Sequence, residues 1–363
     1  MERLRVAVVG VGHLGKEHAR ILAGLPRVEL VAVADVNHEQ GEAVARRHYS
    51  QAFNDYWPLL NLVDAATIAV PTSQHLAVAR EFLKRGIPLL VEKPLARTVA
   101  EAQELVELAD KYSTILQVGH IERFNPAYED LRDRTFKPKF IRAERLGPFT
   151  GRSTDVGVVL DLMIHDLDLL LALVQSSVQS VEAIGMSCFG GHEDVANARL
   201  RFGSGCVAEL TASRASPTLS RRMQFWGPEG YAEVEFASQT LTLVQPSDQV
   251  RRNGLDPGRL DAASRSRIRE DLFTRHLELI RIDGKAQDQL TSELQDFITC
   301  VRTAKTPRVS ARDGLAALSV AERILQAIGE HTWDDTARGP KGPLHLPAPC
   351  GLLFPHRVEQ DVA

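Results

Sequence analysis

Apolar residues in this chain fall first into short runs separated by amphipathic stretches, and only later into a two-residue alternation. Val6 to Val9 precedes a helical pattern over Lys16 to Leu25, and Val28 to Ala34 precedes another near His38 to His48. The runs Ala65 to Val70, Pro88 to Val91 and Ile115 to Val118 continue the alternation, with helical patterns at His75 to Arg85 and Thr98 to Tyr112 between them. Short, continuous apolar runs between helices mark strands buried on both faces. Residues 1–121 therefore predict an α/β domain with a doubly wound parallel sheet.

From about Glu122 the rhythm changes. A long apolar helix, Val156 to Val174, leads into runs that alternate as half-buried strands do: Val181 to Ile184, Ala198 to Phe202, Val207 to Thr211, Met223 to Trp226 and Ala232 to Phe236. The expectation is a second, α+β domain over 122–330 with a large, open, mostly antiparallel sheet. Helices at Ser292 to Ala304 and Asp313 to Gly329 close it. Residues 245–285 carry eight arginines among acids and turn residues and read as a solvated loop or excursion. The proline- and glycine-rich tail, 331–363, is expected to lie extended on the surface or to be partly disordered.

Composition narrows the class without choosing a function. With 363 residues, 44% of them hydrophobic and 25% charged, the chain is that of a soluble protein of two domains. Its formal charge of −4 and lack of a dense basic tract argue against nucleic acid as a partner. Val156 to Val174 is apolar enough to raise a membrane span, yet it carries Asp161, Asp166 and Asp168. At roughly 2.5 to 3.5 kcal/mol per central acid the cost of insertion excludes it. The N-terminus enters a strand directly, so a cytoplasmic location is expected. Cys188, Cys206, Cys300 and Cys350 form no C-x-x-C pair, so no structural metal is expected.

The strongest local signal is Gly10-Val11-Gly12-His13-Leu14-Gly15, placed between a strand and a helix, with Asp35 ending the second strand. Gly10 turns the chain off the strand, Gly12 lets backbone N–H groups approach a pyrophosphate, and Gly15 lets the helix lie close to the sheet. This is a Rossmann dinucleotide fingerprint, with His13 and Leu14 completing the loop. The carboxylate of Asp35 suits the ribose 2′-hydroxyl of NAD and would repel the 2′-phosphate of NADP.

Ligands of such a sheet bind at the carboxyl ends of its strands, which directs attention to Pro71-Thr72-Ser73-Gln74-His75, Glu92-Lys93-Pro94 and Gly119-His120-Ile121-Glu122-Arg123-Phe124-Asn125-Pro126. Lys93 has two readings at this stage: an exposed lysine at a strand end, or an ammonium in a cleft that polarises a hydroxyl. Asp161 and His165 stand four apart on an apolar helix and share a face, as a structural pair or as ligand-binding groups. Two ligands so spaced, without cysteine nearby, make a poor metal site.

The fingerprint, Glu92-Lys93-Pro94 after a central strand, and Asp161-x-x-x-His165 in the first helix of the second domain resemble the Gfo/Idh/MocA family of sugar and inositol dehydrogenases over about residues 3 to 330. The resemblance implies NAD as cofactor, with Pro71, Thr72, His75, Glu92 and Lys93 joining the fingerprint around it. It implies that Lys93 contacts the reacting hydroxyl, that His165 is the general base and that Asp161 hydrogen-bonds the sugar. A cis bond before Pro94 is also implied. Pro71-Thr72-Ser73 departs from the usual Pro-Asn, a hydroxyl replacing an amide. Ala69-Val70-Pro71-Thr72, the Gly119 to Pro126 segment and Asp155 to Asp161 are most similar to the UDP-N-acetylglucosamine 3-dehydrogenases of that family.

That finer likeness implies oxidation of a sugar-nucleotide 3-hydroxyl to a ketone, which a separate sugar aminotransferase can aminate. Arg123, Arg145 and Arg152, with Asn125, are the candidates for the nucleotide end; each arginine reads equally as a surface residue. The alternatives are a dehydrogenase of a free sugar, inositol or linear tetrapyrrole, or a non-catalytic regulator that kept the nucleotide fold. An open sheet face favours a homodimer or homotetramer.

Overall fold

The computed structural model describes residues 3–134, 136–151, 156–189, 191–284, 288–334, 336 and 339–345. Its first sheet contains β1 (Leu4–Val9), β2 (Val28–Ala34), β3 (Gln51–Phe53), β4 (Ala65–Ile68), β5 (Leu89–Glu92) and β6 (Leu116–Gly119). The strands are all parallel in the order β3-β2-β1-β4-β5-β6, the order of a dinucleotide-binding sheet. Between them run α1 (Gly15–Gly24), α2 (His38–His48), α3 (His75–Leu83) and α4 (Val99–Lys111). Every residue of β4, β5 and β6 is buried, as the continuous apolar runs require. Asn37 and Thr98 cap α2 and α4 by accepting from Gln40 and Glu101 N–H, fixing where those helices start.

After α5 (Pro126–Arg132) come β7 (Phe140–Pro148), a π turn over Val159–Met163 continuing as α6 (Ile164–Val174), and strands β8 (Val178–Ser187), β9 (Val195–Phe202), β10 (Val207–Ser213), β11 (Ala215–Gly227), β12 (Gly230–Glu235) and β13 (Thr240–Pro246). Then follow α7 (Asp248–Asn253), α8 (Ala262–Asp271), β14 (Leu277–Asp283), α9 (Gln289–Thr303), α10 (Ala311–Glu330) and β15 (Leu344–His345). The second sheet has nine strands in the order β14-β13-β12-β11-β7-β10-β9-β8-β15. Its pairs are antiparallel except β7 with β10 and β8 with β15. Along β9 buried residues alternate with partly or fully exposed ones, so one face meets the core and the other is open.

Two expectations change. Residues 245–285 are not a plain loop: α7 and α8 make an excursion and the chain returns as β14, an edge strand held by its pairing with β13 rather than by a buried face. The closing helices also do not belong to the second domain alone. Leu290, Leu294, Phe297 and Ile298 of α9 pack with Val6, Val8 and Leu22 of the first domain, while α10 contributes Ala317 and Leu318 to the core beside β4 and β5 and Val320 and Ile324 to the core of the second sheet. All strands of the first sheet precede residue 121, and the chain returns to pack on that sheet's core at its end. Among the described residues, no helix is long and apolar enough to cross a membrane.

Candidate active site

The glycine loop is shaped for a ligand backbone. Gly10 has φ +81°, and a Cβ there would lie 2.7 Å from the Ala69 carbonyl oxygen. A Cβ on Gly15 would lie 1.8 Å from the Gly10 carbonyl oxygen, so α1 can approach β1 only without one. Gly12 faces open space, with nothing within 4 Å of where its Cβ would be. Beside it lies a cavity of about 690 Å³ lined by Gly10, Gly12, Asp35, Asn54, Tyr56 and Pro71, among others. The Asp35 carboxylate is fixed at its rim by Val11 N–H at 2.7 Å and Asn37 N–H at 2.8 Å. Each of its oxygens keeps a lone pair for a ribose hydroxyl. Cradle, cavity and carboxylate fit NAD. His13 and Leu14 are exposed at the loop tip, and Thr72 opens the short turn after β4.

Two residues expected at the cofactor hold the protein together instead. His75 is wedged between the carbonyls of Val70 and Pro94, each 3.0 Å from a ring nitrogen, tying the loop after β4 to the loop after β5. Glu92 is buried under its loop, where Oε1 meets His18 Nε2 at 3.0 Å and Oε2 accepts from the Lys93 N–H at 3.3 Å. Burial pushes its carboxyl up, but the His18 contact and the Lys93 charge prevail and hold it below the usual range.

Lys93 and Asp161 meet, and His165 lies near enough to feel the Lys93 charge. The Lys93–Pro94 bond is cis. Lys93 Nζ donates to the Asp161 carbonyl at 2.7 Å and to its carboxylate at 3.1 Å. The π turn makes this possible: widening the helix at Val159–Met163 turns Asp161, main chain and side chain, toward the lysine. The helix start is anchored by Glu193, whose Oε1 accepts from Val159 N–H at 3.0 Å, and Gly157 is glycine because a Cβ would lie 2.0 Å from that oxygen. His165 is half-buried one turn later, its Nδ1 enclosed without a partner. Enclosure and the cationic Lys93 and Arg145 push the His165 imidazole well below its ordinary value, so it is neutral at neutral pH.

The cations expected for a diphosphate are elsewhere. Arg123 is buried in a two-point pair with Asp168, one bond at 2.8 Å, and Arg145 in pairs with Glu122 and Asp166, each at 2.8 Å. With their donors taken up by buried carboxylates, both brace the second domain internally, tying the turn after β6 and strand β7 to α6 rather than facing a ligand. Asn125 is fully buried and caps α5, accepting from Ala127 N–H and donating to the Phe236 carbonyl, each at 3.1 Å. Arg152 lies outside the described residues.

Other residues near the site carry no sequence signal beyond their motif. His120 follows β6 and is buried, with neither ring nitrogen partnered among the described residues. His18, Glu92 and Glu293 form the one group of metal-type donors among the described residues, their ligand atoms within 4.8 Å of one another. Glu293 has no donor on either carboxylate oxygen, and burial beside Glu92 raises it well above the usual carboxylate range.

Comparison with known proteins gives the family and the fold. Residues 4–120 match the Gfo/Idh/MocA oxidoreductase family model for an NAD-binding Rossmann fold, and residues 132–233 match the family's C-terminal domain. The chain is 34% identical to UDP-N-acetylglucosamine 3-dehydrogenase of Acidithiobacillus ferrooxidans over 90% of this chain and 98% of that one. The solved structure of that enzyme superposes with a TM-score of 0.80 over the same shares. scyllo-Inositol 2-dehydrogenase (NAD(+)) of Bacillus subtilis is 28% identical over 88% of this chain and 92% of that one. A levoglucosan dehydrogenase in complex with NADH, 18% identical over 90% of this chain and 97% of that one, shares the fold with a TM-score of 0.74.

Proposed function

The chain belongs to the Gfo/Idh/MocA family of NAD-dependent oxidoreductases, and we propose that within it the substrate is UDP-N-acetylglucosamine, oxidised at the 3-hydroxyl to the 3-keto sugar. The observation that carries the chemistry is the Lys93, Asp161 and His165 constellation at the carboxyl end of the first sheet. NAD, held by the Gly10–Gly15 loop and Asp35, supplies the hydride acceptor. The Lys93 ammonium, with two directions taken by Asp161, has a third donor to offer a substrate oxygen. His165, neutral and half-exposed, takes the hydroxyl proton. Asp161 holds Lys93 in place and offers its carboxylate to a neighbouring sugar hydroxyl.

The sugar-nucleotide choice rests on the 34% identity to the Acidithiobacillus enzyme across almost the whole of both chains. A cavity of about 380 Å³ among Thr72, Arg97, Gly157 and His192 offers further room on the second-domain side. In the proposed role a sugar aminotransferase consumes the ketone, and a second copy covers the open sheet face. A reading as a free-sugar or inositol dehydrogenase gains from one observation: Arg123 and Arg145 are both engaged internally and leave the diphosphate fewer cations.

Turnover separates the readings. With NAD present, UDP-N-acetylglucosamine is expected to be oxidised far faster than free N-acetylglucosamine or inositols, because remote binding energy holds the reacting carbon in place. Equal rates with the free sugar, or activity confined to inositols, would remove the nucleotide-sugar substrate and leave the family assignment intact.

A further inference from the structure

Behind His165 stands a second imidazole that the chemistry above does not use. His120 is 1% exposed, and its ring meets that of His165 edge-on, with centroids 6.2 Å apart and planes at 87°. Both nitrogens of His120 and Nδ1 of His165 are enclosed and without partners. An unpaired buried polar group costs roughly 1–3 kcal/mol, so three of them on adjoining rings call for a small polar molecule between them. The ring separation is too wide for a direct bond between nitrogens. It suits two ordinary hydrogen bonds, each about 2.8 Å, through one buried water.

We propose that His120 receives, through one bridging water, the proton that His165 takes from the substrate hydroxyl, so that the two histidines form a relay leading away from the cleft. The proposal rests on His165 as general base and not on the identity of the sugar. The substrate O–H proton passes to Nε2 of His165, its Nδ1 proton passes to the water, and a water proton passes to His120. The C–H electron pair leaves as hydride to the nicotinamide. His165 ends neutral in its other tautomer, and His120 ends as the imidazolium.

The surroundings give this transfer a direction. Beyond burial, the charges that oppose a proton on His165 are Lys93 after β5, Arg145 on β7, His120 itself when charged, and Arg221 on β11. Burial holds the His120 imidazole below its ordinary value too, but around it the cations Arg123 and Lys93 are opposed by carboxylates, Asp168 on α6 and Glu92 at the end of β5. A proton is repelled at the outer ring and partly compensated at the inner one.

Two measurements decide it. A high-resolution crystal structure is expected to show a water within hydrogen-bond distance of His165 Nδ1 and of one His120 nitrogen; continuous protein contact with no water between the rings would overturn the relay, and this needs no turnover. In kinetics, on whichever alcohol the wild type oxidises, H120F should keep NAD affinity and KM. It should lose kcat on the order of 10- to 100-fold, with a larger solvent deuterium isotope effect. H120Q, which can still bond the water but cannot accept the proton, should fold normally and show the same loss. Wild-type kcat and isotope effect in either variant would contradict the proposal. If H165A is inactive while H120F equals wild type, the relay alone fails; if H165A stays active, the general-base reading fails.

Discussion

His165 and Glu293 depart from ordinary ionisation in opposite senses, and each has a consequence in pH. The His165 imidazole is pushed well below 6.5 by enclosure and by Lys93 and Arg145, so it remains a competent base as the pH falls through that value. The acid limb of kcat is therefore expected below pH 6.5, and a limb at or above it would contradict a neutral, enclosed base. H165A and K93A should each lose on the order of 10²- to 10⁴-fold in turnover with NAD binding retained, as measured by fluorescence titration. Glu293, raised well above 4.5, keeps a proton in the folded state that the unfolded chain releases above that pH. Its contribution to stability is therefore intact at acid pH and lost as the pH rises toward the folded value. E293Q removes that loss, so the Tm of the variant relative to wild type should increase from pH 5 to pH 8; a pH-independent difference would show Glu293 already ionised. Lys93, Asp161 and His165 could be singled out because they stand in motifs, the Glu92-Lys93-Pro94 triplet and Asp161-x-x-x-His165, whose roles the family resemblance supplied. The internal pairing of Arg123 and Arg145 was not legible, since nothing local in the sequence announces that Asp168, Asp166 and Glu122 will neutralise them in the interior.

Elements whose pattern comes from burial were readable; those made by pairing or by distant packing were not. β4, β5 and β6 are buried throughout and stand in the chain as apolar runs. β14 has no fully buried residue and is defined by its ladder with β13, and its few apolar residues are lost in the arginine-rich stretch around them, which reads as loop. The π turn at Val159–Met163 is likewise silent in an apolar helix, although it presents Asp161 to Lys93. The amphipathic pattern of α9 shows that it has a buried face but not which core receives it. That face packs on α1 and β1, with Phe297 fully buried. F297A is expected to destabilise the protein by about 3–5 kcal/mol in urea unfolding. The loss should fall on the cofactor-binding domain, so that saturating NAD shifts the variant's midpoint back upward. A loss under 1 kcal/mol would mean that α9 is dispensable to that core.

Across the whole molecule, the two closing helices join the domains around one cleft, and buried ion pairs brace the second domain beside it. Arg123 reaches Asp168, Arg145 spans Glu122 and Asp166, and α10 contributes to both cores. The arrangement holds Lys93 from one domain against Asp161 from the other, and it is at that junction that we place the NAD-linked oxidation of an alcohol. The open sheet and the parallel sheet were both foreseeable from periodicity, whereas the return of the chain to its first domain depends on contacts between segments far apart in sequence. The central claim, hydride removal from carbon 3 of a nucleotide sugar, is tested most directly with UDP-N-acetylglucosamine carrying deuterium at C3. Mass spectrometry of the reduced cofactor should find that deuterium on NADH at every turnover. Turnover with the deuterium left on the sugar would place the oxidation at another carbon and contradict the account.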